Sequence, residues 1–114
     1  MGINVYLRSE SGETLDSCLD PLGLVPKLLR HFDLSGTVCL RFVDPYGDTV
    51  FNYLQAPVLL GELAGIRPRL DDRTRALIDA LIPMAERVES GSHLYLHFVG
   101  DWCGRPLTNV GTGR

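Results

Sequence analysis

The chain has 114 residues, of which 45% are hydrophobic and 22% charged, and its formal net charge is −3. This length and composition indicate a single globular domain that can bury its own core, and they argue against global disorder. A mildly acidic chain is a poor electrostatic match for nucleic acid or for an anionic membrane surface, so we expect neither as a partner.

The first two elements are predicted to form a β-hairpin. Residues 3–8 read INVYLR and residues 13–19 read ETLDSCL, and both segments alternate along the chain. Such alternation is typical of a strand with one buried face. Leu15, Ser17 and Leu19 are expected on one face of the second strand, and Gly12 fits the turn between the two.

A helix is predicted over residues 25–32. Its apolar residues recur at helical spacing and form one stripe, namely Val25, Leu28, Leu29 and Phe32. Asp20 and Pro21 are suited to the N-cap and the first helical position. Gly23 and Pro26 weaken the first turn, so we expect the firm part of the helix to begin at residue 25.

A second hairpin is predicted over residues 37–53. TVCLRFV, residues 37–43, alternates, which places Val38, Leu40 and Phe42 on the inner face and Cys39, Arg41 and Val43 on the outer face. DPYG has the residue types of a type I turn. Two registers remain open: Leu40 opposite Phe51, or Leu40 opposite Asn52 if Gly47 forms a bulge.

Two helices and a last strand complete the pattern. APVLLGELAG, residues 56–65, is predicted to be a short helix with Gly65 as its C-cap. The longest helix is predicted over residues 72–89, capped by Asp71 or Asp72 and ended by Gly91. HLYLHFV, residues 93–99, alternates again, with its leucines and Phe98 on the inner face.

These elements predict an α+β fold with the order ββαββααβ. We expect about five mainly antiparallel strands with the helices packed on one face. The domain is predicted to span residues 1–103, followed by a flexible C-terminal tail, residues 104–114, because that stretch is rich in glycine and polar residues. The sequence shows no basic, apolar leader and no apolar run of membrane-spanning length, so we expect a cytoplasmic protein.

The sequence offers no convincing catalytic or metal-binding motif. His93 and His97 lie four residues apart on a predicted strand, about 13 Å, which is too far for two ligands of one ion. The three cysteines are widely spaced and are expected to be reduced thiols. Asp44 and Asp48 flank the DPYG turn, where aspartate is a common turn residue. We therefore expect no catalytic residue, no metal and no cofactor.

One surface has a composition typical of binding. The outward positions of the predicted sheet collect six candidate binding residues, Tyr6, Arg8, Arg41, His93, Tyr95 and His97, together with Asn4 and Val99. Tyrosine and arginine are enriched in protein interfaces, whereas a solvated sheet face more often carries lysine, glutamate and threonine. The sequence therefore predicts a protein partner or self-association through this face.

The hairpin region carries a resemblance. CLRFVDPYGDTVFNYLQAPVLLGEL, residues 39–63, together with HLYLHFVGD, residues 93–101, resembles small uncharacterised bacterial proteins in which a similar hairpin leads into a short helix. The group has no established activity, so the resemblance implies no catalytic residues. In general style such small acidic α+β proteins are similar to immunity proteins of bacterial toxin systems.

Two functional hypotheses follow. The first is a non-enzymatic protein-binding domain, of which a toxin-neutralising immunity-type protein is one concrete form. The second is a small hydrolase or ligand-binding enzyme that uses Asp44, Asp48 and a histidine. A pocket that joins these aspartates to a histidine would favour the enzyme, whereas an exposed face of tyrosine, arginine and histidine would favour the binding domain.

Overall fold

The computed structural model describes residues 2–100 of the chain, which contain four β-strands and three α-helices joined by turns and loops. They are β1 (Asn4–Ser9), β2 (Thr14–Cys18), α1 (Leu24–His31), β3 (Asp48–Phe51), α2 (Ala56–Ile66), α3 (Asp72–Ser90) and β4 (Leu94–Val99), with 3₁₀ turns at Leu40–Phe42 and Arg67–Arg69. The predicted α+β class is confirmed, but these residues form four strands rather than five. The predicted domain boundary at residue 103 and the tail, residues 104–114, lie outside the described residues.

The strands form one antiparallel sheet in the order β2-β1-β4-β3. β1 is the first strand along the chain and β4 is the last, yet they lie side by side in the middle of the sheet, with Tyr6 opposite His97. β3 lies at the far edge and pairs with β4, with Val50 also opposite His97. Residues from both ends of the described chain therefore define the centre of the sheet.

The core lies on one face of this sheet. Val5, Leu7, Leu96 and Phe98 are all buried, as their alternation predicts. α3 packs against β1, β2 and β4, and α1 and α2 contact α3 in turn. The rings of Phe51 and Phe98 meet edge to face with their centroids 5.6 Å apart, which joins β3 to the same core.

The predicted strand over residues 37–43 is wrong. Its central residues form the 3₁₀ turn Leu40–Phe42, and β3 pairs with β4, so neither predicted register of the 37–53 hairpin exists. The carboxylate of Glu62, on α2, accepts hydrogen bonds from the backbone N–H groups of Val38 (2.7 Å), Cys39 (3.2 Å) and Leu40 (2.9 Å). These backbone N–H groups therefore donate to a side chain and not to the carbonyl groups of a neighbouring strand.

The burial of this segment reverses the predicted alternation. Cys39 and Val43 were expected on the outer face and are buried, whereas Val38 and Phe42 were expected inside and are 58% and 63% exposed. Only Leu40 is buried as predicted. The segment therefore contributes a turn that packs against α2, and not a half-buried strand.

The β1–β2 hairpin is present, but its second strand is an edge strand. Leu7 pairs with Asp16 and Arg8 with Thr14, so Leu15 is an extra residue in the ladder. Leu15 and Leu19, predicted on the same face as Ser17, are both exposed. Ser17 pairs with Tyr6, which lies on the face of the sheet away from the buried Val5 and Leu7, so the predicted face of β2 is directed to solvent.

The helix boundaries follow local capping with two differences. The carboxylate of Asp71 accepts from the Thr74 N–H at 2.9 Å, and α3 ends before Gly91, as predicted. α2 continues beyond Gly65 to Ile66 and runs into a 3₁₀ turn, so Gly65 is not its C-cap. α1 spans Leu24–His31, one residue earlier than predicted at each end, and its N-cap position is Gly23, although the carboxylate of Asp20 accepts from the first N–H groups of the helix.

Candidate functional site

The face of the sheet opposite the core carries a group of polar and aromatic side chains. We call this surface the outer face, and it comprises Asn4, Tyr6 and Arg8 on β1 with Tyr95 and His97 on β4. Arg8 lies opposite Tyr95 across the ladder, and Tyr6 lies opposite His97. All five residues are half-buried, so each has part of its surface open to solvent.

Arg8 is the centre of the outer face. Its guanidinium carbon lies 4.7 Å from the centroid of the Tyr6 ring, which is a cation–π distance. Its Nε donates to Thr14 Oγ1 at 3.2 Å, and its Nη1 lies 3.5 Å from His97 Nδ1. Contacts to three side chains on three strands hold this guanidinium in place over the sheet.

The surroundings of His97 favour the neutral form of its ring. Its pKa is lowered, mainly because burial disfavours the charged imidazolium and secondarily because of the nearby Arg8 charge, while Asp48 acts in the opposite direction. A guanidinium can only donate, so the contact with Arg8 requires Nδ1 to accept, with the proton on Nε2. His97 therefore presents Nε2–H as a donor from a neutral ring near pH 7.

Two of the six predicted binding residues are not on the outer face. Arg41 lies in the 3₁₀ turn, where its guanidinium carbon is 4.8 Å from the centroid of the Phe42 ring. It was expected on the sheet only because residues 37–43 were predicted to be a strand. His93 precedes β4 with a φ of 58°, and its Nδ1 lies 2.7 Å from Glu10 Oε1 at the end of the sheet.

Asp44 is held in the turn by local hydrogen bonds, and Asp48 lies at the start of the edge strand β3. Asp44 Oδ1 accepts from the Tyr46 N–H at 2.9 Å, and the Asp44 N–H donates to Thr49 Oγ1 at 2.8 Å, as expected of an aspartate that begins a turn. Asp48 begins β3 opposite Val99. Within residues 2–100, neither aspartate hydrogen-bonds a histidine, and no three acidic, histidine or cysteine side chains gather as a metal-binding group.

A cleft that the sequence did not predict lies away from the outer face. It has a volume of about 400 Å³ and separates α1 from the segment 34–46. α1 contributes Pro26, Leu29 and Arg30, and the opposite wall contributes Arg41, Pro45 and Tyr46. No linear signal identifies this cleft, because its two walls come together only when residues 37–43 form a turn.

Comparison of the chain with protein-family models, with curated proteins and with solved structures gave no match. None of the helices in residues 2–100 combines the length and apolar character that crossing a lipid bilayer requires.

Proposed function

We propose that this protein is a non-enzymatic binding domain that recognises a partner protein through its outer face. The observation that carries the proposal is the arrangement around Arg8, whose guanidinium is held between Tyr6 and His97 while remaining partly open to solvent. Held side chains lose little conformational freedom when a partner binds, and this lowers the entropic cost of association.

The chemistry of the outer face indicates what it would contact. Tyr6 and Tyr95 offer aromatic area with a polar edge, and Arg8 offers remaining N–H donors. In the part of the chain described here, no carboxylate forms an ion pair with Arg8. A carboxylate on the partner is the complement of this guanidinium, since arginine and carboxylate form directional paired hydrogen bonds.

A toxin-neutralising immunity-type protein is one concrete form of this proposal. The net charge of −3 favours approach to a basic protein over long distances. Local recognition at the outer face would then depend on tyrosine, arginine and histidine contacts. The analogy rests on size, charge and fold class, and the partner's identity decides between this form and other binding roles.

The test begins with capture of a partner from the native host, using the full chain as bait. Titration calorimetry then compares variants against the purified partner. Arg8→Ala and Tyr95→Ala are expected to weaken binding by about 1–3 kcal/mol each, the usual range for an interface anchor. Arg73→Ala, at an exposed position on α3, is the control and should leave the affinity unchanged.

Sedimentation of the free protein must precede that titration, because a symmetric homodimer could use the same face. Self-association that Tyr95→Ala abolishes would identify the partner as a second copy of the chain. Unchanged affinity of both outer-face variants for every captured partner, with unchanged unfolding curves, would contradict the proposal.

The alternative remains a small hydrolase or ligand-binding enzyme that uses Asp44, Asp48 and a histidine. One observation favours it, since the strand register places Asp48 diagonally across from His97, where its charge partly opposes the lowering of the His97 pKa by burial and by Arg8. An acid–base pair would need that coupling. A hydrolytic activity that Asp48→Asn and His97→Gln both abolish, while Arg73→Ala retains it, would support the enzyme over the binding domain.

A further inference from the structure

The cleft between α1 and the segment 34–46 has the composition of a ligand site that is separate from the outer face. We infer that it binds a small organic anion, in which a carboxylate is attached to an apolar body and no ammonium group is present. The charges, the apolar walls and the rigid supports of the cleft favour such a ligand, whether or not the outer face binds a protein.

Arg30 and Arg41 line this space, and none of the lining residues within the described part of the chain, residues 2–100, is acidic. Arg30 lies in the last turn of α1, where the negative end of the helix dipole favours a cation. That explanation does not extend to Arg41, which reaches the cleft from the other wall and donates to the Ser35 carbonyl oxygen at 3.4 Å. Among residues 2–100, neither arginine forms an ion pair, so a bound anion would complement both.

The rest of the lining is mainly apolar. Leu29, Phe32, Val43 and Tyr46 surround the space next to the two guanidinium groups. The guanidinium carbon of Arg69 lies 5.0 Å from the centroid of the Phe32 ring, which helps to hold that ring in place. A volume of about 400 Å³ falls within the usual range of small-molecule sites, about 300–1,000 Å³.

The wall that carries Arg41 is braced by hydrogen bonds from outside the cleft. Glu62 accepts from three successive N–H groups directly before Arg41, and the Arg41 N–H donates to Thr37 Oγ1 at 3.1 Å. The turn that presents Tyr46 is tied to the end of β4, since the Gly100 N–H donates to the Gly47 carbonyl oxygen at 2.7 Å. A preformed wall of this kind is a property of small-molecule sites.

The same lining excludes other ligand classes. From the lining that residues 2–100 provide, an ammonium group would meet two positive charges and no carboxylate, so free amino acids and polyamines do not fit. A bare inorganic anion would satisfy the arginines but leave the apolar walls without a partner. The shared chemistry is therefore an oxyanion with an attached aromatic or aliphatic group.

The experiment is a titration of the ¹⁵N-labelled full chain with 1-naphthylacetate, followed by ¹H–¹⁵N correlation spectra. Saturable shifts are expected at Leu29, Phe32 and Tyr46, and they should be absent with 1-naphthylacetamide, which has the same body without the charge. Inorganic phosphate should bind at least about tenfold more weakly than 1-naphthylacetate, because it lacks the apolar contact.

Single-residue variants test whether 1-naphthylacetate binds in the cleft or elsewhere on the surface. Arg41→Gln and Arg30→Gln should each weaken binding of 1-naphthylacetate about tenfold, whereas Arg73→Gln should leave it unchanged. Each variant is first checked by its own correlation spectrum, so that loss of binding is read only from a folded protein. Equal binding of the acid and the amide, shifts confined to the outer face, or unchanged affinity of the folded Arg30→Gln/Arg41→Gln double variant would overturn the inference.

Discussion

Asp20 joins the start of β1 to the start of α1. The residue is 2% exposed, and its carboxylate accepts from the backbone N–H groups of Ile3 (3.2 Å), Leu24 (2.8 Å) and Val25 (2.9 Å). Its own N–H donates to Asn4 Oδ1 at 2.9 Å. A single buried side chain therefore satisfies donors from two elements that would otherwise be unpaired.

Replacement of this carboxylate is expected to destabilise the fold. Asp20→Ala should lower the free energy of unfolding by about 2–4 kcal/mol, because three buried or half-buried backbone donors lose their acceptor. Asp20→Asn should cost less, since the amide keeps one acceptor oxygen. Urea unfolding gives both values, and Glu89→Ala, at an exposed position on α3, serves as the control. A loss below about 0.5 kcal/mol for Asp20→Ala would show that the carboxylate is not needed.

His97 is expected to make stability depend on pH. Its pKa is lowered in the folded chain by burial and by Arg8, with Asp48 opposing them. As the pH falls through the unfolded-state pKa, about 6.5, the unfolded chain binds more protons than the folded chain. The free energy of unfolding should therefore decrease between about pH 7.5 and pH 5.5.

His97→Gln is the variant that tests this effect. Urea unfolding at the two ends of that range should show a smaller pH dependence for the variant than for the natural sequence. The aspartates with lowered pKa, Asp33, Asp71 and Asp79, act only in more acid solution and do not interfere. An identical pH dependence in both proteins would mean that protonation of His97 costs the fold nothing.

At the scale of elements, the DPYG turn is fixed by its contact with the end of β4. A Cβ atom added at Gly100 would lie 2.5 Å from the Pro45 carbonyl oxygen and 2.8 Å from that of Asp44. Only glycine permits the two backbone segments to approach so closely. The turn and the last strand must therefore move apart if this residue gains a side chain.

Gly100→Ala is expected to lower the free energy of unfolding by about 1–3 kcal/mol, the typical cost of overpacking. Gly61→Ala provides the matched control, since a Cβ there meets nothing within 4 Å on α2. This control should stabilise the protein by about 0.5–1 kcal/mol, because alanine is the better helix former. Thermal unfolding of both variants measures the contrast, and equal melting temperatures would contradict it.

The elements that were predicted correctly depend on signals close to them in the chain. The β1–β2 hairpin follows from alternation around Gly12, and α3 follows from Asp71 and Gly91 at its ends. The segment 37–43 could not be predicted in this way, because its N–H groups bind Glu62, which lies on a different element. Alternation alone does not distinguish a strand from a turn that a distant side chain stabilises.

For the candidate site too, residues on regular strands could be placed from the sequence, whereas residues positioned by tertiary contacts could not. Tyr6, Arg8, Tyr95 and His97 were placed together correctly, because alternate residues of a true strand share one face. Arg41 and His93 were misplaced, the first by the wrong strand and the second by a positive φ just before β4. The cleft required tertiary structure, since its two arginines lie on opposite walls.

At the scale of the whole molecule, the fold is expected to be independent of metal. Among residues 2–100 the core is formed by apolar side chains, and Cys18 and Cys39 are free thiols whose pKa is raised by burial. A raised pKa disfavours the thiolate that binds metal. Unfolding curves with and without a chelator should coincide, and a large fall in melting temperature with chelator would reveal a structural metal.

The order of the strands in the sheet affects how the chain folds. Asn4 pairs with Val99, so the central ladder of the sheet joins residues at opposite ends of the described sequence. Closing so long a loop is entropically costly, and a high mean separation between contacting residues slows folding. During synthesis, β1 can pair with β2 early, but β3 has no partner until β4 has emerged. The sheet is therefore completed only after synthesis has passed residue 99, and until then the growing chain exposes unpaired strand edges to other molecules.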